Sequence, residues 1–461
     1  MNKTGLLLAA LLAVLLGYIV LRQVAAPERV RRDLNLLIIS VDTLRADHLG
    51  YAGYARDTSP NIDALAGKGV VFDHVMAQSG STWPSLTTIM TSLHPVIHGV
   101  RANGMRYDEK YPMLPELLKR EGYATAGFLA NASPAVWRGV DLVRSGFGRD
   151  ESVTYEAITW LKENADKRFF AWVHLLGPHA PYAPPVGFDD FGSPYDGEFT
   201  GQVRELQRIF TERLDLSEAD LAHLVSLYDG AIAYTDNLIS MLLHTLEQLG
   251  LMSNTLIVFT ADHGEELYGH DYYFEHTASL YESVLHVPLI FRFPDGLGAG
   301  EVDSTLVQSL DIAPTIVDYL GLESPSSFEG ESLLPLVGAD RSDRAEAASI
   351  AEVADLVLSL RTPRYRYILR VTDGEVPVVP LMGTGSSRPF QYEKEELYDL
   401  SVDPLERRNL SEERPEVLKR LRERLGAWKE EHWEADGRPI PVRTQNFSPI
   451  AVEQLRALGY L

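Results

Sequence analysis

Four side chains at three separate points of the sequence have the chemistry of a cation site with a nucleophile. Asp42 and Asp262 offer carboxylate oxygens, His263 offers an imidazole nitrogen, and Thr82 offers a hydroxyl group. These donors together suit a divalent cation of hard to borderline character. Such a cation lowers the pKa of a bound hydroxyl and neutralises charge on a group in transfer, which would make Thr82 a nucleophile. Taken alone, Asp262 with His263 beside it is more typical of a carboxylate that caps the following helix, and Asp42 has the same alternative.

Strands and one helix must bring these residues together. Continuous apolar runs at residues 35–41, 169–173 and 255–260 predict central strands of a mainly parallel sheet. Asp42 and Asp262 directly follow two of these runs, and ligands of such folds gather at the carboxyl ends of the strands. We therefore expect both carboxylates at one edge of the sheet.

A helix start places Thr82. Pro84 suits a first-turn position, and hydroxyl side chains come just before it. The free N–H groups and the dipole of a helix N-terminus favour a tetrahedral anion. The sequence therefore predicts that Thr82 lies where such an anion would bind.

Strands alternate with helices over the first part of the chain, which predicts an α/β sandwich. The longest predicted helix covers residues 217–249 and begins with a capping box of Ser217 and Asp220. After a change of composition near residue 340, two strands and a helix predict a smaller α+β domain, at 366–371, 395–400 and 415–431. We expect a segment 1–33, a catalytic domain 34–340 and a C-terminal domain 341–461.

Composition excludes several classes of function. The 461 residues carry a formal charge of −23, which argues against nucleic acid as a partner. The chain has no cysteine, so disulfides and thiolate catalysis are excluded. Residues 4–21 form one apolar stretch, and we expect an uncleaved N-terminal membrane anchor there, with a cleaved signal segment as the alternative. The sequence does not indicate an oligomeric state.

Residues 81–99 resemble the active-site segment of the sulfatase family, Cys-x-Pro-Ser-Arg-x-x-x-x-Thr-Gly, aligned on Pro84, Ser85 and Thr91. Thr82 stands where the family has its modified Cys, and Leu86 stands where it has Arg. Further segments resemble the family in order: 42–50, 58–63, 174–182, 262–265, 281–289, 396–400, 403–404 and 409–410. The resemblance extends over nearly the whole chain after residue 33.

The resemblance implies an alkaline-phosphatase-like α/β/α sandwich and an exported catalytic domain, membrane-anchored or, if cleaved, periplasmic or secreted. It also implies roles for individual residues. Asp42, Asp262 and His263 would be metal ligands, with Thr82 as both nucleophile and ligand. His179 and His276 would meet the oxygens or the leaving group of the substrate, although packed structural histidines are the alternative. Asn103 lies 21 residues after Thr82, the offset at which phosphodiesterases of the superfamily place an oxyanion-contacting Asn.

One divalent metal ion is expected. Thr43 replaces the second acidic or amide ligand of the family, and His263 adds a nitrogen donor. Mn²⁺ or Zn²⁺ is therefore favoured, and Ca²⁺ stays possible.

The nucleophile decides between sulfate and phosphate esters. A formylglycine hydrate expels sulfate through its second hydroxyl, and a threonine sulfate has no such exit. A phosphothreonine is opened by in-line attack of water at phosphorus, so Thr82 favours phosphodiester or phosphomonoester chemistry. The substrate would be a small-molecule, lipid or glycan ester. Two alternatives stay open: a membrane phospho-headgroup transferase, and a catalytically inactive sulfatase-like binding domain.

Overall fold

A computed structural model describes residues 33–433, except 108–109, 131–136, 146–147, 190, 271–272, 339–346, 355 and 373–389. The predicted anchor at residues 4–21 lies outside the described residues, and so does the predicted boundary between residues 340 and 341. In the part of the chain that is described, no helix combines the length and the apolar composition that a bilayer crossing requires.

Strands and helices are numbered in chain order. The strands are β1 (Asn35–Val41), β2 (Val70–Met76), β3 (Ala124–Leu129), β4 (Leu142–Ser145), β5 (Phe169–Leu175), β6 (Thr255–Ala261), β7 (His286–Arg292), β8 (Val302–Gln308), β9 (Ser349–Val353), β10 (Val357–Arg361), β11 (Tyr365–Arg370) and β12 (Glu395–Asp399). The helices are α1 (Pro60–Ala66), α2 (Thr82–Thr91), α3 (Pro95–His98), α4 (Leu114–Arg120), α5 (Asp150–Glu163), α6 (Val203–Glu212), α7 (Glu218–Gln248), α8 (Glu282–Leu285), α9 (Ile312–Tyr319) and α10 (Pro415–His432).

Strand β1 lies inside the main sheet and pairs in parallel with β5 on one side and β6 on the other. Within the described residues this sheet has eight strands in the order β4-β3-β5-β1-β6-β7-β2-β8. Strand β7 is antiparallel to both neighbours, and the other neighbouring pairs are parallel. Every residue of β1, β5 and β6 is buried, as expected for strands covered on both faces. The predicted α/β fold with a mainly parallel sheet is confirmed.

Two groups of helices pack around the sheet. Helix α7 packs against α1 and α5, whereas α2 packs against α3, α4 and α9. The Oγ of Ser217 accepts the backbone N–H of Asp220 at 3.1 Å, and Asp220 Oδ2 accepts the N–H of Ser217 at 3.0 Å. The predicted capping box at the start of α7 is therefore confirmed.

The smaller C-terminal unit is an antiparallel sheet, β12-β11-β10-β9, with helix α10 packed on it. Its core combines helix residues, strand residues and one residue of α3: Leu418, Leu421, Leu425, Leu358, Leu360, Tyr367, Leu397 and Val96. The predicted α+β unit is confirmed, and Val96 of α3 packs in its core.

Two of the segments that resemble the sulfatase family join the sheets to each other. The hydroxyl of Tyr281 donates to Glu396 Oε2 at 2.8 Å, and the hydroxyl of Tyr398 donates to the same oxygen at 2.9 Å. All three side chains are buried. These segments at 281–289 and 396–400 therefore dock the C-terminal unit.

A buried cation completes this junction. The guanidinium group of Arg366, 1% exposed, lies 2.6 Å from Glu282 Oε1 and 2.5 Å from Glu406 Oε1. Arg361 also contacts Glu282, at 2.5 Å. Removing one partner of such a cluster leaves buried charges without compensation.

We predict that Arg366→Met lowers the free energy of unfolding by about 3 kcal/mol, because two buried carboxylates lose their shared cation. The matched control is Arg422→Met, since Arg422 pairs with Glu395 at 2.6 Å but is 50% exposed. That control should cost no more than about 1 kcal/mol. Urea denaturation of both variants measures the difference, and equal losses would contradict a special role for Arg366.

Candidate active site

Parallel pairing of β1 with β6 sets two carboxylates beside each other. Val41 and Ala261 are register partners, and Asp42 and Asp262 directly follow them. His263 Nε2 lies 3.7 Å from Asp42 Oδ1 and 3.5 Å from Asp262 Oδ2. Thr82 Oγ1 lies 3.3 Å from the same nitrogen. All four side chains are fully buried. The structure thus brings together the four residues that the sequence analysis predicts as metal ligands.

The hydrogen bonding of His263 determines which ring nitrogen carries the proton. Its Nδ1 lies 3.0 Å from the carbonyl oxygen of Gly264, so Nδ1 holds the hydrogen and donates it. Burial lowers the pKa of His263 to about 3, so the ring is neutral. Its Nε2 therefore presents a lone pair to the two carboxylates and to Thr82.

Asp262 is held by backbone groups on one oxygen only. Its Oδ1 accepts the N–H of His263 at 2.8 Å and the N–H of Thr43 at 3.3 Å. Its buried Oδ2 makes no hydrogen bond within the described residues. Burial, followed by the charge of Asp42, raises the pKa of Asp262 well above its ordinary value. The ligand atoms of Asp42, Asp262 and His263 lie within 4.8 Å of one another.

This donor set fits a divalent cation. When both carboxylates are ionised, their charges within 4.8 Å repel each other by about 3 kcal/mol at an effective dielectric constant near 20. The His263 lone pair adds to that repulsion, because it faces the same point. A cation bound among these atoms would convert the repulsion into attraction and would give Asp262 Oδ2 a partner. Two carboxylates, one imidazole and one hydroxyl form a mixed oxygen and nitrogen set typical of borderline metals.

A chain of hydrogen bonds behind Asp42 orients the ring of His174. The indole N–H of Trp172 donates to Ser40 Oγ at 2.9 Å, which leaves the Ser40 proton for His174 Nδ1, also at 2.9 Å. His174 Nε2 then carries the ring hydrogen and faces Asp42 Oδ2 at 3.6 Å. The sequence analysis missed the positioning role of Ser40 and His174; the signal was their place in β1 and β5, directly before the site.

The side chain of Asn103 makes a hydrogen bond to the N-terminal turn of the helix that carries Thr82. Its Oδ1 accepts the backbone N–H of Trp83 at 2.9 Å, in the first turn of α2. Because the peptide N–H is a donor, the accepting atom of Asn103 must be oxygen. The Nδ2 group is thus the part of this half-buried side chain that is left for a substrate oxygen. One of the free N–H groups expected to bind an anion at this helix N-terminus, that of Trp83, is therefore bonded to Asn103.

Two further histidines extend the cluster from His263. The ring of His276 stacks on His263 with 4.5 Å between centroids, and His179 lies edge-on to His276 at 5.4 Å. His276 Nδ1 lies 3.1 Å from Glu265 Oε1, and His179 Nδ1 donates to the carbonyl oxygen of Ala180 at 2.8 Å. Burial lowers the pKa of His276 to about 3 and raises the pKa of Glu265 to about 7. The sequence analysis gave Glu265 no role, although it belongs to the segment 262–265.

Residues 34–322 match the family model for sulfatases. The chain belongs to the sulfatase family. Arylsulfatase K of Bos taurus is 24% identical over 456 residues, which cover 85% of this chain and 81% of that protein. An N-acetylglucosamine-6-O-sulfatase of Bacteroides thetaiotaomicron is 25% identical over 397 residues, covering 66% of this chain and 70% of that protein.

A solved structure shows the same fold. Phosphonate monoester hydrolase of Agrobacterium radiobacter aligns with a TM-score of 0.71 and 22% identity, over 87% of this chain and 96% of that chain. The resemblance inferred from the sequence is therefore confirmed. Sulfatase-family proteins are metal-dependent, and this chain is a sulfatase-like hydrolase of sulfuric or phosphoric esters. Leu86, where the family segment has Arg, is fully buried in this sulfatase-family chain.

We predict opposite effects of Asp262→Asn with and without metal. In EDTA the variant should unfold at the same or a higher temperature than the wild type, because it removes one of two repelling charges. With Mn²⁺ at about 100 times the wild-type Kd, the wild type should gain about 2.7 kcal/mol, a gain the variant largely lacks. Thermal unfolding in both buffers measures this reversal.

The matched control is Asp236→Asn, since this buried carboxylate accepts the N–H groups of Asn61 and Ile62 far from the predicted ligands in sequence. It should destabilise the protein equally in both buffers. A wild type whose unfolding temperature does not respond to metal would contradict the predicted site.

Proposed function

We propose that this sulfatase-family chain is a metal-dependent hydrolase of phosphoric esters that uses Thr82 as its nucleophile. The observation that carries the proposal is the position of Thr82: it is the first residue of α2, and its Oγ1 lies 3.3 Å from Nε2 of His263. A metal ion held by Asp42, Asp262, His263 and Thr82 supplies Lewis acidity that lowers the pKa of the Thr82 hydroxyl. The chain has no cysteine from which a formylglycine could be made.

Threonine chemistry supports phosphorus over sulfur. In the first step the Thr82 Oγ–P bond forms while the P–O bond to the leaving alcohol breaks. The proton that Thr82 gives up is taken by the leaving oxygen. Water then attacks phosphorus, which restores the Thr82 hydroxyl and releases phosphate or its monoester. A sulfated threonine lacks an equally accessible second step, so sulfate esters would be poor substrates.

The remaining predicted residues receive positioning and proton-transfer roles. The Nδ2 group of Asn103 would donate to a non-bridging oxygen, because its Oδ1 is committed to Trp83. His179 and His276 would move the proton between Thr82, the leaving oxygen and water, since the ring of His276 stacks on His263 and the ring of His179 lies edge-on to His276. Mn²⁺ or Zn²⁺ is the metal that we favour for the mixed donor set.

The proposal also includes the class of substrate, the N-terminal segment and the domain organisation. The names of two curated relatives, an ulvan-active sulfatase and an N-acetylglucosamine-6-O-sulfatase, favour a glycan ester as substrate. We also propose that residues 1–33 anchor an extracytoplasmic catalytic domain, 34–340, that is followed by a C-terminal domain, 341–461. The two alternative functions are transfer of a phospho-headgroup to an acceptor alcohol and ligand binding without catalysis. The assays described below distinguish both from hydrolysis.

We predict that Thr82→Ala lowers kcat on aryl phosphate and phosphodiester substrates about 10³-fold or more, because the nucleophile is lost. Thr82→Ser should keep part of the activity. The control is Thr87→Ala, since the Thr87 hydroxyl donates to the carbonyl of Trp83 within the same helix. The assays compare phosphomonoester, phosphodiester, phosphonate and sulfate esters of one alcohol in Mn²⁺, Zn²⁺ and Ca²⁺.

Mass spectrometry of the quenched reaction should find phosphate on the Thr82 peptide. Faster turnover of the sulfate ester would contradict the phosphoryl preference. Phosphate transfer to an added alcohol in place of water would show a transferase, and no turnover with any metal would favour a binding domain.

Two variants of Asn103 separate its bond to the Trp83 N–H from its proposed bond to the substrate. Asn103→Asp keeps an oxygen for the Trp83 N–H, so its unfolding temperature should match the wild type, but it lacks the Nδ2 donor. We expect kcat to fall about 10²-fold, as for the loss of one oxyanion donor. Asn103→Ala should lose both activity and about 1 kcal/mol of stability, since the helix end loses its acceptor. Full activity of Asn103→Asp would show that Asn103 serves only the helix.

A further inference from the structure

Three metal-binding side chains meet at a place that shares no residue with the candidate active site. His94 directly precedes α3, Glu329 lies in the segment after α9, and His432 is the last residue of α10. One ligand atom from each lies within 4.8 Å of the other two. The side chains are 11%, 24% and 11% exposed, respectively, so an ion and a water molecule can reach them.

Neighbouring groups hold each of the three side chains in place. Glu329 Oε2 accepts the backbone N–H of His94 at 2.9 Å and lies 3.0 Å from His94 Nδ1. His432 Nδ1 donates to the carbonyl oxygen of Trp428 at 2.8 Å, which directs its Nε2 to Glu329 Oε1 at 2.9 Å. The indole ring of Trp428 stacks on His432, with 4.4 Å between centroids and 16° between planes. Histidine ligands of metals commonly donate their second N–H to a carbonyl in this way.

We propose that His94, Glu329 and His432 form a second metal site, for a transition metal ion of the Zn²⁺ type. Two imidazoles and one carboxylate are a familiar zinc donor set, with a water molecule as fourth ligand. Adjacent ligands of a tetrahedral zinc ion lie about 3.3 Å apart, given bonds of about 2.0–2.1 Å. The observed distance of 3.0 Å between His94 Nδ1 and Glu329 Oε2 would therefore open by only about 0.3 Å, whereas His432 Nε2, which contacts the other oxygen Oε1 at 2.9 Å, would have to turn toward the shared ion.

The site would fasten the C-terminal helix to the body that carries Thr82. His432 ends α10, and His94 directly precedes α3, three residues after the end of α2. His98 Nε2 of α3 in turn lies 3.1 Å from Thr88 Oγ1 of α2. Without metal, His432 would need a hydrogen on both nitrogens to satisfy Trp428 and Glu329, and the three residues would form an ion pair only. That ion pair is the alternative that experiment must separate.

Metal counting on the full chain tests the proposal. After EDTA treatment, reloading with Zn²⁺ and dialysis, elemental analysis should find about two ions in the wild type and about one each in Asp262→Asn and His432→Gln. The double variant should hold about none. The control is Asp262→Asn with His244→Gln, since His244 is an exposed histidine 3.7 Å from Glu247 and should leave the count unchanged. Equal counts in Asp262→Asn and the double variant would overturn the proposal.

Thermal unfolding decides the case if His432→Gln folds poorly. In the Asp262→Asn background, Zn²⁺ at about 100 times its Kd should raise the unfolding temperature by a few degrees. Co²⁺ in the same variant should show visible absorption bands of a four-coordinate site. If neither signal appears, His94, Glu329 and His432 form an ion pair and the proposal is wrong.

Discussion

Repulsion between two buried carboxylates is the constraint on which this structure depends. Asp42 and Asp262 follow adjacent parallel strands, so the register of β1 with β6 alone sets them beside each other. The lone pair of His263 points at the same place, because its Nδ1 is committed to Gly264. The fold gains nothing from this arrangement by itself, since burial and like charge both oppose it. A cation bound among these three side chains would offset the repulsion, which is the physical reason for proposing a metal site here.

The surrounding structure holds this unfavourable arrangement in place. Trp172, Ser40 and His174 form a hydrogen-bonded chain behind Asp42. Thr43, next in sequence, has a φ of +54°, a conformation that is costly for a β-branched residue. That conformation accompanies the Thr43 N–H bond to Asp262, while the Thr43 carbonyl accepts from Tyr228. Backbone strain is therefore placed directly beside the predicted ligands, as is common at functional sites.

Sequence patterns predicted the parts of the molecule that depend on local order. The strands at 35–41, 169–173 and 255–260 read as continuous apolar runs because both of their faces are buried, and strand ends then indicated Asp42 and Asp262. The antiparallel placement of β7 was not predictable, since an apolar run indicates a buried strand but not the direction in which it pairs. The same holds for His94, Glu329 and His432, which have no motif spacing. The Oδ1 contact of Asn103 required coordinates as well, because the offset from Thr82 does not show which atom faces the helix.

The C-terminal unit also supports the site, although it supplies none of the predicted ligands. Glu352 of β9 donates its backbone N–H to the carbonyl oxygen of Gln78, four residues before Thr82. Its carboxylate pairs with Arg101 at 2.9 Å, two residues before Asn103, and both side chains are at least 96% buried. The segments that carry the nucleophile and its amide neighbour are thus held from the second sheet. The composition of the chain changes near residue 340, but the residues that support the site lie on both sides of that point. A protein that ended there would lack Glu352, the partner of Arg101 in the segment that carries Asn103.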